Sequence, residues 1–200
     1  MLKKISLLGP SGTFTDQAAD KYIKSGNLNL PKEYFPSISK SLASLDSETL
    51  VIAPIENLID GFIGVTLDFL KDEPLVFINA EVIIPISHCL VSQNSDISSI
   101  QEIYTQFSTQ QQCRNFLESL GAKKIITTES NISSGEMANQ KADSAAIVPF
   151  PSVGKFPKLQ LLQKDVQDYK DNQTRFVVLA DHKLPEQSKE APAKTSLLVT

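Results

Sequence analysis

The sequence predicts an α/β fold of two lobes with a cleft between them. Three observations carry that reading. Val- and Ile-rich runs of strand length alternate with stretches whose apolar residues recur at helical spacing, the pattern of strands joined by crossover helices. The longest apolar stretch, Leu75 to Ser92, is interrupted by Pro85, which cannot serve a central ladder and marks where the chain passes between lobes. Polar groups recur at the carboxyl ends of strands in both halves, where open α/β sheets bind ligands.

Lys4 to Leu8 reads as a first strand running into Gly9-Pro10-Ser11-Gly12-Thr13, and a helix follows with Phe14, Ala18, Tyr22 and Ile23 on one stripe. The Ser11 and Thr13 hydroxyls near a helix N-terminus suit a small carboxylate. The loop has neither the Lys of a P-loop nor the third Gly of a dinucleotide fingerprint, and it fits equally a tight turn capped by Thr13. An irregular stretch is expected between Pro31 and Pro36. Ser37 or Ser39 can then cap a short helix bearing Leu42 and Leu45. Leu50 to Ile55 is a second strand ending in Glu56-Asn57, which either make a surface ion pair and a turn or line a site. Gly61 and Gly64 loosen the next loop before a helix through Val65, Phe69 and Leu70.

Beyond Pro85, a short helix is expected from Asp96 to Tyr104. Ser108-Thr109-Gln110-Gln111 reads as a capping box opening a helix with Cys113, Phe116, Leu117 and Leu120 on one stripe, ended by Gly121, and Gln112 sits beside that stripe. Lys124 to Thr128 is a strand with Glu129-Ser130-Asn131 at its carboxyl end, a helix runs through Met137 toward Lys141, and Ser144 to Val148 is another strand. Leu159 to Leu162 leads to Asp171–Leu179, where amides at Asn172 and Gln173, the Thr174 hydroxyl and the Arg175 cation precede a buried strand. This segment is the expected return crossover. Strand alternation puts Thr174 and Phe176 on one face and Arg175 on the other unless the chain bulges. The lobes expected are about 1–80 with 175–183, and about 85–170. Residues 184–193 read as a linker, and Lys194 to Thr200 begins a strand with no partner in the sequence, so the chain looks cut short.

Composition narrows the function. With 41% hydrophobic and 21% charged residues and a formal charge of -4, the chain has no basic surplus for nucleic acid. No apolar run reaches membrane-span length, and the apolar segment before Pro10 is too short for a signal peptide, so a cytoplasmic protein is expected. Cys89 and Cys113 form no CxxC pair and read as small buried hydrophobes. His88 and His182 have no second ligand at metal-binding spacing, so no protein-bound metal is expected.

Five segments, in order and at similar spacing, resemble the prephenate dehydratases: Gly9-Pro10-Ser11-Gly12-Thr13-Phe14-Thr15, Pro54-Ile55-Glu56-Asn57 with Gly61, Gln112-Cys113 before Phe116-Leu117, Glu129-Ser130, and Asn172-Gln173-Thr174-Arg175-Phe176. The resemblance covers Ile5 to Ala180. The stub from Lys194 is similar to the first strand of the ACT regulatory domain that usually follows. The resemblance implies a fold like the type II periplasmic binding proteins, with a two-strand hinge and a cofactor-free site. It implies conversion of prephenate to phenylpyruvate with loss of carbon dioxide and the ring hydroxyl, and a homo-oligomer in the full-length form.

Carried over by position, the resemblance makes Thr174 the donor to the leaving hydroxyl and Glu56 a group that orients its neighbours. Arg175 either holds a carboxylate or locks the strand. Ser11, Thr13, Asn57, Thr105, Gln112, Ser130 and Asn131 are candidate substrate-side hydrogen bonders. Leu58 stands where the family usually has Ser, Thr105-Gln106-Phe107-Ser108 replaces a Ser-His-Pro-Gln segment, and Asn131 replaces a usual Thr. These departures admit a relative that prefers arogenate or only decarboxylates prephenate. The two-lobed architecture also admits a module that closes on a small anion without chemistry.

Overall fold

The computed structural model describes residues 2–121 and 123–185. Most of the expected linker and the strand from Lys194 lie outside the described residues. The described residues form two compact units: those up to Ser11, Thr15–Ile84 and those from Thr174 make one, and Gly12–Phe14 with those of Pro85–Gln173 make the other.

The first unit runs β1 (Lys4–Leu8), α1 (Phe14–Ser25), β2 (Lys32–Phe35), α2 (Ile38–Leu42), β3 (Thr49–Asn57), β4 (Gly61–Phe62), α3 (Gly64–Asp72) and β5 (Phe77–Pro85). Ser37 is the N-cap of α2, its side chain accepting from the Lys40 N–H. The stretch expected to be irregular is instead the edge strand β2, parallel to β1. Its two prolines bound it rather than disrupt it, and the Pro31 carbonyl accepts from the Ile5 N–H at 2.9 Å. Lys32 and Glu33 suit an edge, which hid the strand from a search for apolar runs.

The second unit runs β6 (His88–Ser92), a 3-10 turn at Ile97–Ser99, β7 (Glu102–Gln106), α4 (Phe107–Gln112), α5 (Arg114–Ser119), β8 (Lys124–Thr128), α6 (Asn131–Ala138), β9 (Ser144–Pro149), a 3-10 turn at Phe150–Lys155 and β10 (Gln160–Lys164). The expected helix from Asp96 to Tyr104 is corrected to that single turn followed by a strand. Asp96 caps the turn by accepting from the Ser98 N–H at 2.8 Å, and Ile103-Tyr104-Thr105 then favour extended backbone. The expected helix through Cys113 is two helices. Gln106, not Ser108, caps α4, taking the Ser108 and Thr109 N–H groups on its Oε1. Cys113 leaves helical geometry at φ -119, ψ 26. Tertiary bonds hold the break: the Asp168 N–H donates to the Gln112 carbonyl at 2.7 Å, and the Asp168 carboxylate accepts from the Asn115 N–H at 3.1 Å.

β11 (Gln173–Ala180) then returns to the first unit, whose sheet has the order β2-β1-β3-β11-β5, with β4 on β3. β11 is antiparallel to β3, and the register shifts between Arg175 and Phe176: Arg175 faces Glu56 while Phe176 faces Pro54, leaving Ile55 as the extra residue. Val51, Ala53, Ile55, Val177 and Leu179 pack on Leu42 with Phe69 and Leu70 of α3. Alternate residues Leu50, Ile52, Phe176 and Val178 are buried on the opposite side. The second sheet, β10-β6-β9-β7-β8, is also covered on both faces. Cys89, Val91, Ala146 and Val148 join Phe156 and Ala138 on one side, while Leu90, Ala145 and Ile147 join Cys113, Leu117 and Val166 on the other. Both units are thus two-sided α/β layers, as the alternation of apolar runs predicts.

Candidate active site

In the first unit the ends of β3 and β11 bring two polar residues together. Asn57 (7% exposed) and Thr174 (8% exposed) are register partners, and the Asn57 Nδ2 donates to Thr174 Oγ1 at 2.8 Å. The amide has only one sensible orientation. Asn57 Oδ1 accepts from the backbone N–H groups of Ile59 (2.9 Å) and Asp60 (3.0 Å), so the nitrogen must face Thr174. Thr174 Oγ1 is therefore an acceptor in this pair, and its own O–H is directed elsewhere.

One step along the register, Arg175 faces Glu56. Its Nε and Nη2 donate to Glu56 Oε2 at 3.1 and 2.7 Å, and its Nη1 donates to Glu81 Oε1 at 2.7 Å. The guanidinium thus joins β3, β11 and β5 and is surrounded by two carboxylates. The alternation that separates it from Thr174 holds here, because the bulge falls after it.

Ser11 lies in another cluster of the first unit. Its hydroxyl donates to Asp16 Oδ2 at 2.9 Å, while Asp16 Oδ1 receives Tyr34 Oη at 2.7 Å and Lys32 Nζ at 2.5 Å. Asp16 is buried, a position a carboxylate holds only when so paired. Burial opposes the charge on Lys32, but the Asp16 and Asp20 carboxylates raise its pKa above the ordinary lysine value.

Gly12 and Thr13 belong to the second unit. The Gly12 carbonyl accepts from Ser152 Oγ at 2.6 Å, and Thr13 directly precedes α1. At φ +87, with the Lys155 side chain lying where a Cβ would project, Gly12 has two reasons to be glycine. Gln112 Oε1 lies 3.2 Å from His88 Nε2, and the His88 ring meets Phe14 at 5.5 Å in an edge arrangement. Asn131 Oδ1 accepts from Thr109 Oγ1 at 2.8 Å, joining α6 to α4. Ser130 caps α6, accepting from the Ser133 N–H at 3.0 Å. Thr105 is fully buried within β7, its hydroxyl 3.3 Å from the adjacent Gln106 carbonyl.

The structure therefore gathers Glu56, Asn57, Thr174 and Arg175 at one strand end, and Gln112 with His88 and Phe14 in the other unit. Sequence reasoning missed Asp16, Glu81, Thr109 and the part played by His88. Only His88 carried a signal, as an ionisable residue inside an apolar run. Burial lowers its pKa to about 4, against a weaker opposite effect of Gln112, so the ring is neutral near pH 7. Burial pushes the Cys113 thiol up to about 12, which leaves it unreactive. Among the described residues no three His, Cys, Asp or Glu side chains gather as metal ligands, and no helix is long and apolar enough to cross a membrane.

Comparison with known proteins places these motifs. The chain is 30% identical over 203 residues to the bifunctional chorismate mutase/prephenate dehydratase of Buchnera aphidicola subsp. Baizongia pistaciae (strain Bp), an alignment covering 100% of this chain and 54% of that protein. The chain spans about half the length of the bifunctional relatives it matches. The crystal structure of prephenate dehydratase in complex with L-Phe from Arthrobacter aurescens superimposes with a TM-score of 0.78 at 25% identity, over 92% of this chain and 63% of that one. A periplasmic transporter shares the fold alone, with a TM-score of 0.51 at 10% identity over 90% of this chain and 76% of its own. The family model for prephenate dehydratase matches residues 5–184, and the chain belongs to the prephenate dehydratase family.

Proposed function

We propose that the chain converts prephenate to phenylpyruvate. The observation that carries this reading is the direction of the Asn57–Thr174 hydrogen bond. In the reaction the ring carboxylate leaves as carbon dioxide, its bonding electrons enter the ring, and the ring C–O bond breaks as the ring becomes aromatic. The departing hydroxyl takes up a proton and leaves as water. Aromatisation drives the process, so the protein has to bind the dianion and stabilise charge on the departing oxygen. Thr174, receiving from Asn57, offers its O–H to that oxygen. A single such donor typically contributes about 10²- to 10³-fold in kcat. Arg175, engaged by Glu56 and Glu81, locks the strands that carry Thr174 rather than holding substrate. Gln112, Thr13, Ser130 and Asn131 are substrate hydrogen bonders in this reading on the strength of the family resemblance, and Ser11 supports the glycine loop through Asp16.

The test is phenylpyruvate formation from prephenate, followed by absorbance. Turnover well above the spontaneous rate is expected, and Thr174→Val should lower kcat by about 10²-fold while Thr174→Ser retains most of it. Turnover no faster than the spontaneous reaction, or an unimpaired Thr174→Val variant, overturns the reading. A second substrate, arogenate, is favoured by Leu58, which is 62% exposed beside Asn57 and offers no hydroxyl where the family usually has Ser. Competition between the two substrates, with products identified by mass spectrometry, decides between them. The reading includes a cytoplasmic homo-oligomer, which light scattering tests.

A further inference from the structure

Among the described residues of α3 only Thr66 is buried, and it is polar. A threonine inside a helix usually bonds back to the carbonyl of its own preceding turn. Thr66 instead donates to the Pro54 carbonyl of β3 at 2.7 Å. The next carbonyl along β3 is held from the same place, because Ile55 accepts from the N–H of Ile63, the N-cap of α3, at 2.9 Å. The start of α3 therefore grips two consecutive peptide groups of β3. The chemistry above uses neither contact.

Those two residues lie where β3 and β11 change register. Ile55 is the extra residue of the bulge, and Pro54, which has no N–H to give a ladder, is a residue that bulges accommodate. The buried Ile55 side chain packs with Leu42 and Phe69, so the bulged residue is anchored in the core as well as through its carbonyl. The bulge decides what faces Thr174. Continuing the pairing of Phe176 with Pro54 without it would set Arg175 opposite Ile55 and Thr174 opposite Glu56. An ionised carboxylate only accepts, so it would take the Thr174 O–H for itself. With the bulge, the residue opposite is Asn57, whose Nδ2 donates to Thr174 Oγ1 and leaves that O–H directed elsewhere.

We infer that Thr66 is a positioning residue: its hydroxyl, together with the Ile63 N–H, holds Pro54 and Ile55 in the bulge that sets Asn57 rather than Glu56 opposite Thr174. The consequence for catalysis rests on the prephenate reading, whereas the register does not. Serine at this position would keep the hydroxyl, and valine would keep the shape without it. The two substitutions therefore separate the hydrogen bond from packing.

Cross-strand nuclear Overhauser contacts of the 200-residue chain test the register directly. Backbone contacts between Asn57 and Thr174 are expected in the unsubstituted protein and in Thr66→Ser, and are expected to be lost or exchanged for Glu56–Thr174 contacts in Thr66→Val. In kinetics with prephenate, run well below the thermal midpoint of each variant, Thr66→Val should lower kcat about tenfold or more and change KM less than about threefold, while Thr66→Ser keeps most of the activity. Because Thr66 acts through Thr174, adding Thr66→Val to Thr174→Val should change kcat by less than about threefold. Parental contacts and kcat in Thr66→Val, or an equal loss in both backgrounds, overturn the inference. If Thr66→Val does not fold, Ile63→Pro, which removes the N–H held by Ile55, carries the same expectations. If the unsubstituted protein does not turn over prephenate, the functional reading falls while the cross-strand contacts still decide the role of Thr66.

Discussion

At the Asn57–Thr174 pair, Asn57→Asp would keep an oxygen for the Ile59 and Asp60 N–H groups and replace the donor facing Thr174 with an acceptor. The Thr174 O–H would then turn inward. The expected outcome is a loss of about 10²-fold in kcat with a thermal midpoint within a few degrees of the parent, measured by steady-state kinetics and calorimetry. His88 supplies a second prediction. Its folded pKa of about 4 lies below the ordinary 6.5, so between those values the unfolded chain binds more protons than the folded one and stability falls as pH drops. The loss attributable to His88 across that window is of the order of 3 kcal/mol, and it should be missing from denaturant titrations of His88→Phe. Thr174, Asn57 and Gln112 stood out as candidates because their segments carry motif patterns in consecutive residues. Asp16, Glu81 and the His88–Gln112 contact were not, because each depends on residues brought together from distant parts of the chain. Even for Arg175 the sequence offered two roles, and only the two facing carboxylates favour strand locking.

Among elements, the junction of β3, β11 and β5 depends on one guanidinium. Arg175→Met should cost about 2 kcal/mol, because it leaves two carboxylates facing each other across the sheet, whereas Glu81→Gln should cost less than about 1 kcal/mol; urea titration of both checks the ranking. In α6, a Cβ at Gly135 would lie 2.1 to 2.6 Å from the Phe156 ring. Gly135→Ala is expected to destabilise by about 1–3 kcal/mol despite its better helix propensity, with a lowered thermal midpoint as the readout. Strands such as Lys4–Leu8 and Lys124–Thr128 were readable to the residue, and Ser37 as a cap was among the two candidates. The failures share a cause. β2 is a polar edge strand recognised only by its partner β1, and the break at Cys113 is imposed by Asp168, which lies far along the chain. Local pattern records propensity, and at these places tertiary hydrogen bonds override it.

For the whole molecule, connectivity is unequal between the units. Nearly all of the second is one continuous stretch, Pro85–Gln173, whereas the first needs β11 between β3 and β5. A fragment of residues 85–173 should therefore show cooperative thermal unfolding by circular dichroism, and a fragment of residues 1–84 should not, since its β5 would have no sheet neighbour. The Asn57–Thr174 bond joins positions 117 residues apart, and closing so long a loop is slow relative to making local contacts. During synthesis, β3 and β5 emerge from the ribosome long before the strand that belongs between them, and the second unit can mature while they wait. The Asn57–Thr174 pair would then be among the last contacts made, so on the proposed reading prephenate turnover should return in refolding experiments later than most of the secondary structure.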